Sequence, residues 1–292
     1  MTTLFTNATV LPCTAGMPVI EGGHVLVDGD SIVSVGAGPG PGPAADEVID
    51  AGGDIVMPGF VNPHSHLPMT LFRGLGEDVD DRLFRYVLPL ERRFVSPEMV
   101  RVGTALAALE LIEGGVTTVA DMYYHEVEIG RVLDAAGLRA VVGQTIADFD
   151  PPDHASIDEG FALTVALVDR FRGHPRITPS IAPHAPYSTD IAVMARVALW
   201  AADNPDVPVQ LHLAEMDSEM KWAADTHGCR PVEVVDRAGL LIEGLIAAHC
   251  LHIEPPEIER LAEAGVRAAH NARSNAKAGR GIAPVEAMRT AG

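Results

Sequence analysis

The chain is short of cysteine, of basic residues and of long apolar runs, and each shortage closes off a class of protein. Its three cysteines, Cys13, Cys229 and Cys250, are odd in number and far apart. No CxxC occurs, so neither a disulfide framework nor a cysteine-based zinc knuckle is expected, and a reducing cytoplasm is the default location. Lysine and arginine total 21 against 40 aspartates and glutamates, a formal charge of −19. Nucleic acid and anionic membranes need basic patches, so neither is an expected partner. No run of eighteen apolar residues appears, and Met1–Asn7 lacks a basic flank leading into an apolar segment. The expectations are no membrane span and no secretory signal.

At 292 residues, 47% of them hydrophobic, the chain can form one large domain with a small appendage. Its first fifty-odd residues read as short β segments broken by Gly22-Gly23 and Asp28-Gly29-Asp30, the latter a hairpin signal. The run Gly36 to Pro43 has the glycines of a phosphate loop. Its alternating prolines remove the N–H donors such a cradle needs, so it reads as an irregular loop. The expected division is residues 1–56, part of a small N-terminal β-sandwich, and residues 57–292.

Beyond residue 54 the pattern alternates strand and helix. Strands are expected at 55–62, 116–121, 139–145, 177–183, 208–213, 245–249 and 266–270. Helices are expected at 96–113, 127–136, 157–171, 191–202, 216–226, 231–238 and 255–264. Ser96-Pro97 offers an N-cap with proline at the first helical position. Gly114, Gly137, Gly239 and Gly265 stand where helices should end. The alternation implies an α/β fold with a parallel sheet, a (β/α)8 barrel of about seven βα units and therefore incomplete.

In such a barrel the working residues sit at the C-terminal ends of the strands. Five of the seven expected strand ends carry histidine: His64 and His66, His184, His212, His249 and His270. Residues i and i+2 of a strand share a face, so His64 and His66 can reach one metal ion. Taken alone, His184 or His270 reads better as a hydrogen-bonded structural residue than as a ligand, and His249 reads equally as either. Together they point to a metal site, with Glu215 three residues past His212.

The segment Met57-Pro58-Gly59-Phe60-Val61-Asn62-Pro63-His64-Ser65-His66 resembles the first-strand signature of the amidohydrolase superfamily. Ala182-Pro183-His184-Ala185-Pro186-Tyr187-Ser188, Gln210-Leu211-His212-Leu213-Ala214-Glu215, Ala247-Ala248-His249-Cys250 and His270-Asn271-Ala272-Arg273-Ser274-Asn275 resemble its cytosine-deaminase-like branch. That branch includes the aminohydrolases of S-adenosylhomocysteine, methylthioadenosine, guanine, 8-oxoguanine and triazines. The resemblance implies that His64, His66 and His212 are metal ligands, Glu215 the proton shuttle, and His249 the neighbour of the reacting water. It places His184 toward substrate. The cofactor it implies is one divalent ion, Zn²⁺ by donor type with Fe²⁺ the alternative.

The implied reaction is hydrolytic deamination of an N-heterocyclic amine. Chlorohydrolase, N-alkylamine hydrolase and imidazolone-ring hydrolase are alternatives on the same scaffold, and an inactive metal-binding fragment is a third reading. Arg82 and Phe84 stand near the position where nucleoside-type relatives carry a Trp. Arg82 is therefore a candidate substrate contact, as is Gln144, with Asp121 and Asp148 as further strand-end candidates. The family's fourth protein ligand is an Asp after an eighth strand, for which no match is found; a truncated gene or incomplete gene model is the expectation. The expected partners are a small heterocyclic substrate and further copies of the chain.

Overall fold

The computed structural model describes residues 1–41, 45–76, 79 and 81–292. The chain divides into two compact units, Met1–Phe60 and Val61–Gly292. Part of the proline-glycine loop (Gly42 and Pro43) and three acidic residues of the 71–83 loop (Glu77, Asp78 and Asp80) lie outside the described residues.

The first unit is one mixed five-stranded sheet. Its strands are β1 (Thr2–Val10), β2 (Ile20–Asp28), β3 (Ser31–Ala37), β4 (Glu47–Asp50) and β5 (Ile55–Val56). The order is β3-β2-β1-β4, with β5 also on β1. β1 and β2 are antiparallel, whereas β4 and β5 run parallel to β1. Ala8, Val10 and Val25 form its buried centre. The strand expected over 55–62 is in fact two. Ile55 and Val56 pair with Thr9 and Val10 of this first sheet, and the next strand, β6, begins at Phe60. Met57-Pro58-Gly59 breaks the run, because proline lacks the N–H that a continuous ladder needs.

The second unit carries a seven-stranded sheet in the order β12-β11-β10-β9-β8-β7-β6. The strands are β6 (Phe60–Ser65), β7 (Val116–Tyr123), β8 (Arg139–Ile146), β9 (Ile177–Pro183), β10 (Val209–Leu213), β11 (Leu245–His249) and β12 (Arg267–Ala269). The five ladders from β7 to β12 are parallel, as βα alternation requires. The helices are α1 (Leu88–Phe94), α2 (Pro97–Glu113), α3 (Glu126–Ala135), α4 (Ile157–Phe171), α5 (Pro186–Asp203), α6 (Asp217–His227), α7 (Pro231–Arg237), α8 (Pro255–Glu263), α9 (Ala272–Lys277) and α10 (Val285–Ala291). This is a nearly closed, incomplete (β/α)8 barrel. No described helix is long and apolar enough to cross a membrane.

Local chemistry sets the helix ends. Ser96 accepts the Met99 N–H at the start of α2 and Ser156 the Glu159 N–H at the start of α4. Gly137, Gly239 and Gly265 adopt positive φ just past their helices. α5 starts five residues earlier than its periodicity suggests. Pro186 opens a first turn, and Asp190 breaks it at φ 60° before the main helix begins.

Two apolar clusters fill the space between strands and helices. One is built on Ile181, Leu211, Leu213 and Leu245, the other on Val119, Ile129, Val142 and Leu167. Inside the barrel, Gln210 donates to the Asp121 carbonyl at 2.9 Å and to Ser180 Oγ at 2.8 Å. A Cβ at Gly143 would stand 2.6 Å from that Gln210 amide, so only glycine leaves room for this cross-barrel link.

Candidate functional site

A cavity of about 1120 Å³ opens at the C-terminal ends of the barrel strands. His64, His66, His184, His212, His249 and His270 all line it, as do Arg82, Glu91, Glu215 and Arg280. Tyr123, Tyr124, Phe149 and Tyr187 give it aromatic walls.

His64, His66 and His212 each offer a ligand nitrogen, and the three atoms lie within 4.8 Å of one another. Their rings meet at 4.8 to 5.2 Å between centroids. Two of the tautomers follow from the backbone. His66 Nδ1 lies 2.6 Å from the Met122 carbonyl and His212 Nδ1 lies 2.7 Å from the His184 carbonyl. A carbonyl only accepts, so each Nδ1 carries the hydrogen and each Nε2 presents a lone pair. These two Nε2 atoms face each other at 3.3 Å. Two lone pairs at that separation repel unless a cation lies between them. Nitrogens bound tetrahedrally to Zn²⁺ at about 2.0–2.1 Å stand roughly 3.3–3.4 Å apart. The donor set therefore fits a divalent ion of the zinc type.

Burial pulls His64 and His212 well below the ordinary imidazole range, and mutual repulsion among the rings adds to it. His66 is also lowered by burial, against the pull of its bond to Met122. His184 is brought down to about 3 by burial and by His66. Neutral imidazole is the ligating form.

His249 ends β11 with φ 74°, followed by Cys250 at φ 46°. The strain is held by neighbouring strand ends: the Cys250 N–H donates to the Leu213 carbonyl at 3.0 Å and the Leu251 N–H to the Ala214 carbonyl at 3.1 Å. His249 Nδ1 lies 2.8 Å from Asn275 Oδ1, so its Nε2 faces Glu215 Oε1 at 3.5 Å. Glu215 Oε1 also contacts the Arg280 guanidinium. The turn that carries Glu215 is clamped by Glu219, which accepts the Ala214 and Glu215 N–H groups at 2.8 Å each. Glu219 stands in the first turn of α6 and is the carboxyl that holds these N–H groups. Burial raises the Glu219 carboxyl to about 7.

The structure brings together His64, His66, His212, His249, His184, Glu215 and Arg82 around one cavity. Gln144 is not among them. It is 2% exposed, and its amide donates to Asp153 Oδ2 at 3.0 Å and to the Thr145 carbonyl at 3.2 Å. Strand residues alternate faces, so Thr145 lines the cavity and Gln144 points away; the substrate-contact expectation for Gln144 is corrected on that ground. Asp121 and Asp148 are likewise absent from the lining.

Four residues of the site and its support had no role assigned from the sequence, although Asn275 stood in the quoted His270–Asn275 motif. Glu91, on α1, is a buried wall carboxyl that burial raises to about 7. Arg280 and Asn275 lie beyond the last predicted strand. Glu219 could have been found as the acid one helical turn after Glu215.

A profile of the Amidohydrolase family matches residues 55–292. Over 286 residues (97% of the chain), the sequence is 36% identical to a 5-methylthioadenosine/S-adenosylhomocysteine deaminase of Syntrophobacter fumaroxidans, of whose length the chain spans 65%. The crystal structure of an adenosine deaminase from Xanthomonas campestris with bound zinc superposes with a TM-score of 0.88 at 35% identity, covering 99% of this chain and 66% of that one. A mutant atrazine chlorohydrolase from Arthrobacter aurescens, complexed with zinc and atraton, superposes with a TM-score of 0.90, covering 99% of this chain and 70% of that one. Its identity is 22%, a likeness of fold.

Proposed function

The chain belongs to the amidohydrolase family, and from that premise we propose that it is a metal-dependent hydrolase releasing ammonia from an N-heterocyclic amine. The observation that carries this reading is the pair of opposed Nε2 atoms of His66 and His212, 3.3 Å apart with both Nδ1 hydrogens committed to carbonyls. His64, His66 and His212 would hold the ion, Zn²⁺ by donor type. A bound divalent cation supplies Lewis acidity and brings the ionisation of water toward ~7.

The rest is done by the chain's own groups. Glu215 accepts the proton of the attacking water and returns it to a ring nitrogen of the substrate, the work of a general acid–base worth roughly 10²–10⁴-fold. His249, its Nδ1 fixed by Asn275, offers Nε2 beside the same carboxylate and orients the attacking oxygen. The second proton of that oxygen passes to the amino group, the carbon–nitrogen bond breaks, and the carbon keeps the oxygen as ammonia leaves. Aromatic walls suit a flat heterocycle, and His184, which lines the same cavity, is the proposed substrate neighbour. The named relatives are deaminases of adenosine-type compounds, which favours a 6-aminopurine nucleoside or thioether as substrate. The chlorohydrolase alternative rests on a likeness of fold alone.

The test is ammonia release from 5′-methylthioadenosine, S-adenosylhomocysteine, adenosine, guanine and an aminotriazine, before and after chelation. Release from an adenosine-type member, abolished by chelator and restored by Zn²⁺, is expected. A zinc-loaded chain that releases ammonia from none of them overturns the reading in favour of an inert metal-binding fragment.

A further inference from the structure

A pair of carboxyl groups behind the cavity has no part in the chemistry above. Asp121 on β7 is fully buried. Its Oδ1 accepts the Leu67 N–H at 2.6 Å and lies 2.9 Å from Ser65 Oγ. Ser65 and Leu67 flank His66, and Ser65 separates it from His64. The next residue of β7, Met122, gives the carbonyl that fixes the His66 tautomer. One short stretch of β7 thus holds the His64–Leu67 turn by its backbone and by one side chain.

Glu126, also fully buried, opens α3. Its Oε1 accepts the Tyr123 N–H at 2.6 Å. Asp121 Oδ2 and Glu126 Oε2 are buried and have no donor among the described residues. The two side chains are within hydrogen-bonding reach of each other. Two adjacent buried carboxylates cannot both ionise. A hydrogen on one supplies an O–H donor and satisfies both orphaned oxygens at once. Burial favours this, lifting Asp121 to about 7 and Glu126 well above its ordinary range.

We propose that Asp121 and Glu126 form a carboxyl–carboxylate pair, Glu126 donating to Asp121 Oδ2, and that this pair positions His64 and His66 to receive the metal ion. They are positioning residues and touch neither substrate nor ion. The inference rests on the metal reading of the site. It extends the common pattern in which groups behind the ligands orient them, and whose loss costs about 10–100-fold in metal affinity.

The amide variants make the pairing testable without emptying the space. In Asp121→Asn the Nδ2 group donates to an ionised Glu126. In Glu126→Gln the Nε2 group donates to Asp121. In the double variant two N–H donors face each other. Zn²⁺ affinity of the purified chain, by competition with a chromophoric chelator, is measured beside the melting temperature of the metal-free form. Each single amide variant should bind Zn²⁺ within a few-fold of wild type, as amide replaces the shared hydrogen. The double variant and Asp121→Ala should each lose about 10–100-fold. A double loss no greater than the product of the single losses overturns the shared hydrogen. So does a single amide variant as weak as the double. Wild-type affinity in a folded Asp121→Ala overturns the positioning role while the metal reading stands. A wild-type chain that takes up no Zn²⁺ overturns both.

Discussion

The cavity face and the layer directly behind it answer the same physical problem in opposite ways. Both are crowded with titratable groups that burial drives toward neutrality. On the cavity face the groups are imidazoles, and desolvation lowers their pKa values. Behind it they are the carboxyls of Asp121, Glu126 and Glu219, and desolvation raises theirs. The carboxyls face backbone N–H groups of the strand-end turns: Leu67 for Asp121, Tyr123 for Glu126, Ala214 and Glu215 for Glu219. Two of the imidazoles give their hydrogens to carbonyls and turn lone pairs into the open space. The lesson is a division of labour: the rear layer uses its polarity to fix backbone, and the front layer keeps an unsatisfied atom for something that arrives from outside.

The contrast predicts that front-layer changes alter chemistry directly, whereas rear-layer changes act through stability and through the hold on the metal ligands. The largest effect is expected at Glu215. Glu215→Gln should lower kcat roughly 10²–10⁴-fold with zinc content unchanged, measured by ammonia release and metal analysis; retained turnover removes Glu215 from the mechanism.

Next comes the ion itself. Zn²⁺ at one hundred times its Kd should stabilise the metal-free chain by about 2.7 kcal/mol, read from thermal unfolding. His66→Ala should abolish that gain. His184→Ala should retain it, because the His184 ring is not one of the three that offer a ligand nitrogen, and its bond to His212 Nδ1 comes from a backbone carbonyl that the substitution keeps. Equal loss in both variants would blur the line between ligand and neighbour.

Glu91 tests the boundary, since it is a buried carboxyl that lines the cavity. Burial lifts it from 4.5 to about 7. The folded chain therefore keeps a proton there across a range in which the unfolded chain has lost it. That stabilisation is complete below pH 4.5 and is lost as pH rises through 7. Glu91→Gln should thus gain on wild type as pH rises from 4.5 to 8, by up to about 3 kcal/mol, measured by chemical denaturation. A gap that does not change with pH would place an ionised Glu91 in the folded wall.

The smallest effect is expected at Ser65, whose Oγ lies 2.8 Å from the Ala120 carbonyl and 2.9 Å from Asp121 Oδ1. Ser65→Ala should cost about 1 kcal/mol of stability and leave Glu215-dependent turnover intact.

Much of the barrel was readable before any coordinates. Alternating apolar strands and capped helices are local patterns, and Ser96, Gly137, Gly239 and Gly265 mark helix ends through their own backbone preferences. The strand-end histidines were legible because a barrel collects strand ends on one face. Less legible was anything that depends on which strand a segment joins. Ile55-Val56 reads like the start of the first barrel strand but pairs with β1. Gln144 sits at a strand end like a cavity residue, yet alternation turns it to Asp153. Glu91 and Arg280 were invisible, because α1 and the segment after α9 reach the cavity only through packing.

The sequence by itself determined the alternation of elements, the type of donor atom available and the family to which those motifs point. These follow from residue chemistry and short-range spacing, which need no partner far along the chain. Only the tertiary structure decided which nitrogen of His66 and of His212 is bare, that Glu219 and Asp121 hold the turns bearing Glu215 and His66, and that Asp121 and Glu126 meet. Tautomer, clamp and shared hydrogen are each set by a contact with another strand or helix, and such contacts exist only once those elements have packed together.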